Sequence, residues 1–304
     1  MIKSVSIIIP AFNEEENIVR TISSLLEVPH EGFKFNILVV DNGSTDKTAE
    51  LAELSGAVVQ VSDDKSVAAV RNKGVSVLCG ELLIFLDADV SVTKEWHDNI
   101  EATLLDVYED KLLITGSHCS SPVYMKSSLE KYWFDSFESS KSSHLGTGHM
   151  IMSRELFERL NGFDASLETG EDYDFCHRAK AIGAQIKENC SLIVVHHDYP
   201  KNLVQFVKRE AWHGVGDIGS LKLAISSKVF VASLISLAIQ LVILVSLLLT
   251  WYGSAVIFLC VLVVFLLALS VYKFKKKPAL TILINAGYFY FYLIGRFLSL
   301  FRMQ

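Results

Sequence analysis

Glu81-Leu-Leu-Ile-Phe-Leu-Asp87-Ala-Asp89-Val90 is an apolar run that ends in two carboxylates separated by one residue. Residues 82–86 are apolar without alternation, which is typical of a short strand buried on both faces of a mostly parallel sheet. The acids therefore follow the carboxyl end of a strand, the edge at which open α/β sheets bind ligands. Two acids there predict a site for a hard cation or a cationic ligand. The alternative is that they cap the helix that follows near Thr93.

Two earlier segments have the same order of strand, polar loop and helix. Strand-like residues at 5–9 and at 35–40 each lead into a loop that precedes a predicted helix. The loops are Pro10-Ala-Phe-Asn13-Glu14 and Asp41-Asn42-Gly43-Ser44-Thr45-Asp46. This alternation predicts a mostly parallel, Rossmann-like α/β sheet with Asp41 on the same edge as Asp87. For the second loop, an ordinary turn with Asp46 as a helix cap is the alternative.

A helix predicted over residues 66–79 carries Arg71-Asn72-Lys73-Gly74 at its middle. Two cations beside a glycine suit contact with a diphosphate, because Arg and Lys donate charge-assisted hydrogen bonds to phosphate oxygens. A solvated helix face is the commoner fate of such a charge pair. Taken alone, the motif is compatible with both.

The four motifs stand in the order and spacing of glycosyltransferase family 2, which they resemble: Ile-Ile-Pro10-Ala-Phe-Asn13-Glu14, Val-Val-Asp41-Asn-Gly-Ser-Thr-Asp46, Arg71-Asn72-Lys73-Gly74 and Phe-Leu-Asp87-Ala-Asp89. The resemblance covers about residues 4–200. It implies a GT-A fold, in which a UDP- or GDP-linked sugar lies along the edge of the sheet. On that analogy, the residues that bind the nucleotide sugar are Pro10, Ala11, Asn13, Glu14, Asp41, Asn42, Ser44, Arg71, Lys73, Asp87 and Ala88.

The resemblance also implies separate roles for the acids. Asp41 would accept a hydrogen bond from the base, Asp87 would contact the ribose, and Asp89 would bind the cation that bridges the two phosphates. Loss of a nucleoside diphosphate develops negative charge, which Mg²⁺ or Mn²⁺ neutralises, and a carboxylate is a hard ligand for either ion. A neutral imidazole is a second candidate ligand. His196 and His197 both follow a strand-like run, and we assign His197 to the metal.

Gly170-Glu171-Asp172 supplies the candidate general base. Residues 146–178 resemble the acceptor side of the same family. The resemblance makes Asp172 the base that deprotonates the attacking hydroxyl, with Glu171 as its structural partner or substitute. Gly170 lets the backbone bring both acids to a helix N-terminus, which predicts a depressed pKa for Asp172. The alternative is that these acids only satisfy the dipole of that helix.

The charge of the chain changes at residue 228. Residues 228–304 contain seven Lys and Arg and no acidic residue, whereas all 34 Asp and Glu lie in residues 1–227. The acidic part argues against nucleic acid as a partner, and the basic, apolar tail favours a membrane. The five cysteines are odd in number and show no paired spacing, which fits a reducing cytosol and gives no metal cluster.

The tail contains three apolar runs, at 229–249, 254–272 and 279–301. The first two are long enough to span a membrane and are joined by a minimal turn, so they predict a helical hairpin. Lysines at both outer ends of the hairpin mark the cytoplasmic side. Asn285 and Arg296 interrupt the third run, which therefore either spans the bilayer or lies in its interface.

We expect three parts: a GT-A domain at 1–200, an amphipathic interface helix at 201–227 and a membrane domain at 228–304. The expected function is the transfer of a single sugar, with inversion, to a lipid or lipid-linked acceptor. The catalytic domain would face the cytosol of a multi-pass inner-membrane protein, and its oligomeric state is open. A processive polysaccharide synthase is the alternative enzyme, although Gln205-Phe-Val-Lys208-Arg209 does not reproduce the Gln-x-x-Arg-Trp signature. A catalytically silent membrane partner that binds nucleotide sugars is the alternative of another class.

Overall fold

The computed structural model describes residues 2–28, 30–120, 127–136, 144–218 and 221–301. They form two compact units, one of residues 1–123 and 140–198 and the other of residues 124–139 and 199–304. The strands are β1 Lys3–Ala11, β2 Phe33–Asp41, β3 Val58–Val61, β4 Leu82–Leu86, β5 Val90–Val92, β6 Leu113–Gly116, β7 His149–Ser153, β8 Gln185–Glu188 and β9 Val194–His196. The α-helices are α1 Ile18–Leu26, α2 Thr48–Leu54, α3 Val67–Val77, α4 Lys94–Glu109, α5 Ser128–Tyr132, α6 Arg154–Arg159, α7 Glu171–Ala181, α8 Leu203–His213, α9 Leu221–Ser226, α10 Lys228–Leu248, α11 Tyr252–Phe274 and α12 Ala279–Leu298.

The first unit is built on a sheet of seven strands in the order β3-β2-β1-β4-β7-β6-β8. β1, β2, β3 and β4 run parallel to one another, and β8 runs parallel to β6. Only β7 breaks the pattern within this described sheet, since it is antiparallel to both β4 and β6. β5 and β9 pair separately as a two-stranded antiparallel sheet. The predicted α/β fold with a mostly parallel sheet is confirmed.

β4 is apolar throughout because both of its faces are covered. Ile84 packs in the apolar cluster that contains residues of α1 and α4, and Phe85 packs in the cluster that contains residues of α3, α6 and α7. All five residues of β4 are buried. Burial of a side chain of this size contributes about 1.5–3 kcal/mol, so the strand that precedes the two acids is firmly held in the core.

The register of the parallel strands brings the polar loops to one edge. Ala11 at the end of β1 pairs with Asp41 at the end of β2. Ile8 pairs with Phe85, and Asp87 follows two residues after Phe85. The loops after β1, β2 and β4 therefore leave the sheet together at its carboxyl edge, as the alternation of elements predicted.

The second unit contains the apolar tail. Three of its helical segments are long and apolar enough to cross a membrane, with mean hydropathy of 2.6 for α10, 3.0 for α11 and 1.2 for Ala279–Phe301. Two expected boundaries change. Residues 124–139, expected in the domain at 1–200, group with the tail. Residues 201–227 are not one helix, because α8 ends before Gly214, a short 3₁₀ helix covers Gly214–Asp217, and α9 follows. Glycine is a poor helix former, which favours a break at that point.

Gly74 in α3 lets the helix approach the sheet closely, and this contact can be tested. A Cβ atom at this position would lie 2.5 Å from Ile8 Cγ2 and 3.0 Å from Val40 Cγ2. Gly74→Ala should therefore lower stability by about 1–3 kcal/mol, although alanine is ordinarily the better helix former by about 1 kcal/mol. Thermal unfolding of the full chain in one detergent measures the change. Ser76→Ala, at an exposed position of the same helix, is the control and should unfold with the wild type. Equal midpoints for Gly74→Ala and wild type would contradict the close contact.

Candidate functional site

The loops after β1 and β2 are joined by hydrogen bonds from backbone to side chain. The backbone N–H of Asn13 donates to Ser44 Oγ at 2.9 Å, and the N–H of Thr45 donates to Asn13 Oδ1 at 2.9 Å. The N–H of Glu14 donates to Thr48 Oγ1 at 2.7 Å. Asn13 adopts a positive φ of 56°, which asparagine tolerates better than most residues. These contacts hold residues 13 and 14 in a loop against the second loop. The helix α1 therefore begins at Ile18 and not at Glu14.

Asp41 presents a buried acceptor at this edge. One carboxylate oxygen, Oδ2, accepts the backbone N–H of Ser44 at 3.3 Å. The other, Oδ1, is buried and has no hydrogen-bond partner within the described part of the chain. A buried acceptor without a partner is costly, about 1–3 kcal/mol, unless a ligand satisfies it. The atom therefore fits the predicted role of Asp41 in accepting a hydrogen bond from a base.

The other predicted residues of this edge are backbone-anchored. Ala11 directly follows Pro10 in β1, and the Ala11 C=O accepts the N–H of Asn42 at 2.8 Å. Ala88 is buried, and its C=O accepts the Thr21 hydroxyl at 2.7 Å. The backbone therefore fixes the positions of these residues at the carboxyl edge of the sheet: Pro10, Ala11, Asn42 and Ala88.

Arg71 joins two carboxylates from distant parts of the sequence. Its Nη2 lies 2.6 Å from Asp87 Oδ1, and its Nη1 lies 2.8 Å from Glu171 Oε1. The residue is only 3% exposed. Thr147 Oγ1 donates a further hydrogen bond to Glu171 Oε1 at 3.2 Å. We predicted that Arg71 contacts a diphosphate. In the structure its terminal nitrogens instead bind these two acids.

The remaining residues of the Arg71-Asn72-Lys73-Gly74 motif have structural contacts of their own. Asn72 exchanges two hydrogen bonds with the backbone of Phe163, at 2.8 and 2.9 Å, and thereby holds the turn before α7. Lys73 is half-buried with its Nζ 3.9 Å from Asp64 Oδ2, a distance that leaves it able to reach a phosphate. The alternative of a solvated helix face does not describe this motif.

Asp89 lies in a concentration of negative charge. Burial, followed by the charges of Asp87, Glu14 and Asp198, raises the pKa of Asp89 to about 8. Burial and the carboxylates of Asp198 and Asp87 also raise the pKa of Glu14. The alternative that Asp87 and Asp89 cap the following helix is wrong, because Thr93 Oγ1 caps α4 by accepting the N–H of Trp96.

Such a charge surplus fits a divalent cation, which would return Asp89 to its ionised form. Among the described residues, no group of three or more His, Cys, Asp or Glu side chains converges to hold a metal ion. Mg²⁺ commonly needs only one or two carboxylates, since substrate phosphates and waters complete its shell. The residues present therefore fit a cation that binds together with a diphosphate.

His196 replaces His197 as the second candidate ligand. His196 Nε2 lies 3.2 Å from Asp89 Oδ2. His197 Nε2 instead contacts Ser91 Oγ at 2.7 Å, and burial together with Arg20 lowers the pKa of His197 to about 4.

Asp172 and Glu171 lie at the N-terminus of α7, after Gly170 with φ of 82°. Glu171 is buried and bound by Arg71, whereas Asp172 is half-buried and accepts the N–H of Tyr173 at 2.7 Å. Our expectation of a depressed pKa for Asp172 is wrong. Burial and the neighbouring charge of Glu171 raise it, and they outweigh the hydrogen bond at the helix terminus. A carboxyl group with a raised pKa is a stronger base when ionised.

Two contacts of the site come from residues that the sequence did not single out. The C=O of Gly148 accepts the N–H of Asp87 at 3.3 Å, and a Cβ atom at Gly148 would lie 3.0 Å from Asp87 Oδ2. Next to it, His149 is fully within the core, where Nε2 accepts the indole N–H of Trp96 at 2.9 Å. Burial lowers the pKa of His149 to about 3, so it is a neutral core residue. The antiparallel pairing of β4 with β7 brings Gly148 and His149 close to Asp87.

The chain is similar to known sugar-transferring enzymes. The family described as Glycosyl transferase family 2 matches residues 6–107. Glycosyltransferase AglE of Haloferax volcanii is 28% identical over 227 residues, which are 70% of this chain and 73% of AglE. Amylovoran biosynthesis glycosyltransferase AmsB of Erwinia amylovora is 28% identical over 59% of this chain and 65% of its own length.

Two solved structures share the fold. The mannosyltransferase PcManGT from Pyrobaculum calidifontis, in complex with GDP-Man and Mn²⁺, has a TM-score of 0.53 and 16% identity over 71% of this chain and 64% of its own. TarS residues 1–349 from S. aureus, in complex with UDP, has a TM-score of 0.51 and 19% identity over 72% of this chain and 66% of its own. The chain thus spans about two thirds of these structures. They support the GT-A fold.

The ion pairs of Arg71 give a prediction for stability. Arg71→Leu leaves the buried Glu171 and the adjacent Asp87 without their cation, and we expect a loss of about 3–5 kcal/mol in thermal or denaturant unfolding. The double variant Arg71→Leu, Glu171→Leu should regain part of the loss, because it removes the buried charge. Lys73→Met is the control, since its partner is 3.9 Å away and partly exposed, and should change stability by less than about 1 kcal/mol. Equal losses in the single and double variants would disprove the bridge.

Proposed function

We propose that the chain is a glycosyltransferase of family 2 and that it transfers a single sugar from a UDP- or GDP-linked donor to a lipid or lipid-linked acceptor at the cytoplasmic face of the membrane. The observation that carries the proposal is the carboxyl edge of the sheet. There a buried acceptor without a partner, Asp41 Oδ1, shares one edge with Asp89, whose pKa is raised to about 8 by burial and by neighbouring acids. Neither feature is needed to stabilise the fold, and both suit a nucleotide diphosphate with a cation.

The donor would bind along the loops after β1, β2 and β4. Asp41 Oδ1 accepts a hydrogen bond from the base, Asp87 faces the ribose, and Lys73 contributes positive charge to the diphosphate. Asp89 and His196 would hold Mg²⁺ or Mn²⁺, which supplies charge neutralisation for the leaving diphosphate. Because Asn13, Ser44 and Thr48 already join the first two loops, little loop ordering is required when the donor binds.

Asp172 would accept the proton of the attacking hydroxyl. Arg71 binds Glu171 and leaves Asp172 as the more exposed of the two acids. A single carboxylate base, with no second nucleophile assigned, is compatible with direct displacement and inversion at the sugar carbon. Burial and Glu171 raise the pKa of Asp172, which brings its basicity closer to the working pH of a cytosolic enzyme.

The membrane helices support the class of acceptor. α10 and α11 are apolar enough to cross a bilayer and belong to the same chain as the family 2 region. Lys228 and Lys273 to Lys277 flank them on the outer ends of the hairpin, which favours the cytoplasmic side for those ends. An enzyme tethered in this way encounters lipid-borne acceptors at a high effective concentration.

The reaction is tested with candidate UDP- and GDP-sugars, Mg²⁺ or Mn²⁺, and a lipid extract, with release of the nucleoside diphosphate as the readout. Asp172→Asn should lower turnover by about 10²–10⁴-fold while the donor still binds, because only proton transfer is lost. Asp89→Asn should weaken the cation-dependent binding of UDP or GDP. Asp63→Asn, an exposed acid, is the control. Unchanged turnover in both site variants would refute the mechanism. Donor binding without transfer to any lipid would favour a silent partner.

The dependence on pH tests the base separately. Asp172 acts when ionised, so kcat/KM should fall as the pH drops through its raised pKa. In Glu171→Gln the negative charge beside Asp172 is removed, and the acidic limb of the profile should move to lower pH. The readout is the position of the limb, measured at saturating cation, because it reports the pKa of the base independently of the maximal rate. Asp174→Asn in the same helix should leave the limb in place. A limb that stays fixed in Glu171→Gln would exclude Asp172 as the titrating base.

A further inference from the structure

α12 is long enough to span a bilayer, but its contacts put its two ends at the same side of the hairpin. α10 and α11 are joined by the three residues 249–251, so the start of α10 and the end of α11 lie on the same side of a membrane that they cross. α12 begins five residues after the end of α11. Near its start, Ser270 Oγ in the last turns of α11 donates to the C=O of Ile282 at 2.6 Å.

Residues well inside α12 remain level with the last turn of α11. The ring of Phe289 lies 6.0 Å from the ring of Phe274, and Lys273 Nζ lies 5.5 Å from the ring of Tyr292. A helix that ran straight into the bilayer would have descended about 15–20 Å by these positions, at 1.5 Å per residue. α12 therefore passes across the end of α11 at a steep angle. The Tyr290 hydroxyl lies 3.2 Å from Gln240 Oε1, twelve residues into α10, so this long side chain extends from α12 toward the middle of the hairpin.

The far end of α12 returns to the start of α10. A Cβ atom at Gly214 would lie 2.8 Å from Ser299 Cβ, directly after α12. Four residues after Gly214, Ile218 packs in one apolar cluster with Phe230, in the first turn of α10. The 3₁₀ helix at Gly214–Asp217 spans only about 8 Å, so Ser299 lies near the entry point of α10.

α8 accompanies α12 along this path. The rings of Phe206 and Tyr288 are 6.5 Å apart, and Glu210 Oε2 lies 3.2 Å from Arg296 Nε. A Cβ atom at Gly295 would lie 2.7 Å from Glu210 Cβ, so the two helices are in tight contact. If α12 crossed the bilayer, α8 would enter the hydrocarbon beside it with its charged residues, which are costly to place there.

α5 and the turn after it cover another part of α12. Asn285 Nδ2 donates to the C=O of Tyr132 at 2.7 Å, and the Trp133 ring lies 5.0 Å from Phe289. Two arginines lie over neighbouring aromatic rings. Arg209 lies 4.9 Å from the Phe134 ring, and Arg296 lies 5.1 Å from the Tyr292 ring. Aromatic rings with Lys and Arg at their faces are typical of the level of the lipid headgroups.

We propose that α12 does not cross the membrane and that it lies with α5 and α8 in the headgroup layer, on the side that holds Lys228 and Lys273. The partner of this surface is a leaflet with anionic phosphate headgroups, which the cations at its rings attract. The chain then crosses the membrane twice, and the residues after α12 are on the same side as the residues before α10. Calling that side cytosolic rests on the proposed function. The number of crossings does not.

Epitope tags placed one at a time before Met1, within Trp251–Gly253 and after Gln304 of the full chain test the proposal. Antibody access is compared between intact and permeabilised spheroplasts. We expect the tag at 251–253 to be accessible in intact spheroplasts and the two terminal tags only after permeabilisation. Access to the tag after Gln304 together with the tag at 251–253 would overturn the proposal. Access to both terminal tags but not to the middle one would preserve two crossings and refute the cytosolic orientation alone.

A charge scan gives an independent measurement. Val264 in the middle of α11 and Gly287 in the middle of α12 are both exposed. A Cβ atom at Gly287 would have no neighbouring atom within 4 Å. In the headgroup layer an arginine reaches water or phosphate at small cost, whereas at the centre of a span it is expensive. Gly287→Arg should keep the wild-type amount of protein in the membrane fraction, and the matched Val264→Arg should reduce it several-fold. An equal reduction in both variants would contradict the proposal.

Discussion

The ion pairs of Arg71 with Asp87 and Glu171 hold the site together. Arg71 belongs to α3, Asp87 follows β4, and Glu171 opens α7, so one buried guanidinium fixes three elements that meet only in the folded chain. A buried guanidinium is costly without carboxylate partners, and two carboxylates bind the terminal nitrogens of Arg71. The position of Asp172 depends on the same interaction, since it follows Glu171 directly and is turned by Gly170.

The two pairs of acids at the site show how position separates similar groups. Asp87 is bound by Arg71, whereas Asp89, two residues later, has other acids and His196 as its neighbours. Glu171 is likewise bound by Arg71 and Asp172 is not. In each pair one acid is bound by Arg71, and the other has a raised pKa and is left to bind a ligand or a proton. The proposed roles of Asp89 and Asp172 follow from this difference, which burial alone would not create.

Local signals in the sequence were sufficient for the parallel half of the sheet. Unbroken apolar runs mark strands covered on both faces, and polar loops at their ends mark one edge, so β1, β2 and β4 and the position of Asp41 could be predicted. Contacts set by distant pairing could not be predicted. Arg71 finds Glu171 one hundred positions away, and Gly148 reaches Asp87 because β7 pairs antiparallel to β4. The choice between His196 and His197 depends on their contacts with Asp89 and Ser91, which lie more than one hundred positions earlier. The pKa of Asp172 needed the extent of its burial, which a helix N-terminus does not reveal.

The acids around Asp89 have a thermodynamic consequence for the proposed donor and cation. Asp87, Glu14 and Asp198 all raise the pKa of Asp89, so the protein by itself repels a diphosphate at this edge. A bound divalent cation reverses the sign of that field, and a bound diphosphate supplies further oxygen ligands for the cation. Each ligand then increases the affinity for the other by the same factor, as linkage requires. With the proposed ligands, the edge would therefore bind a nucleotide sugar or a cation weakly alone and strongly only as a pair.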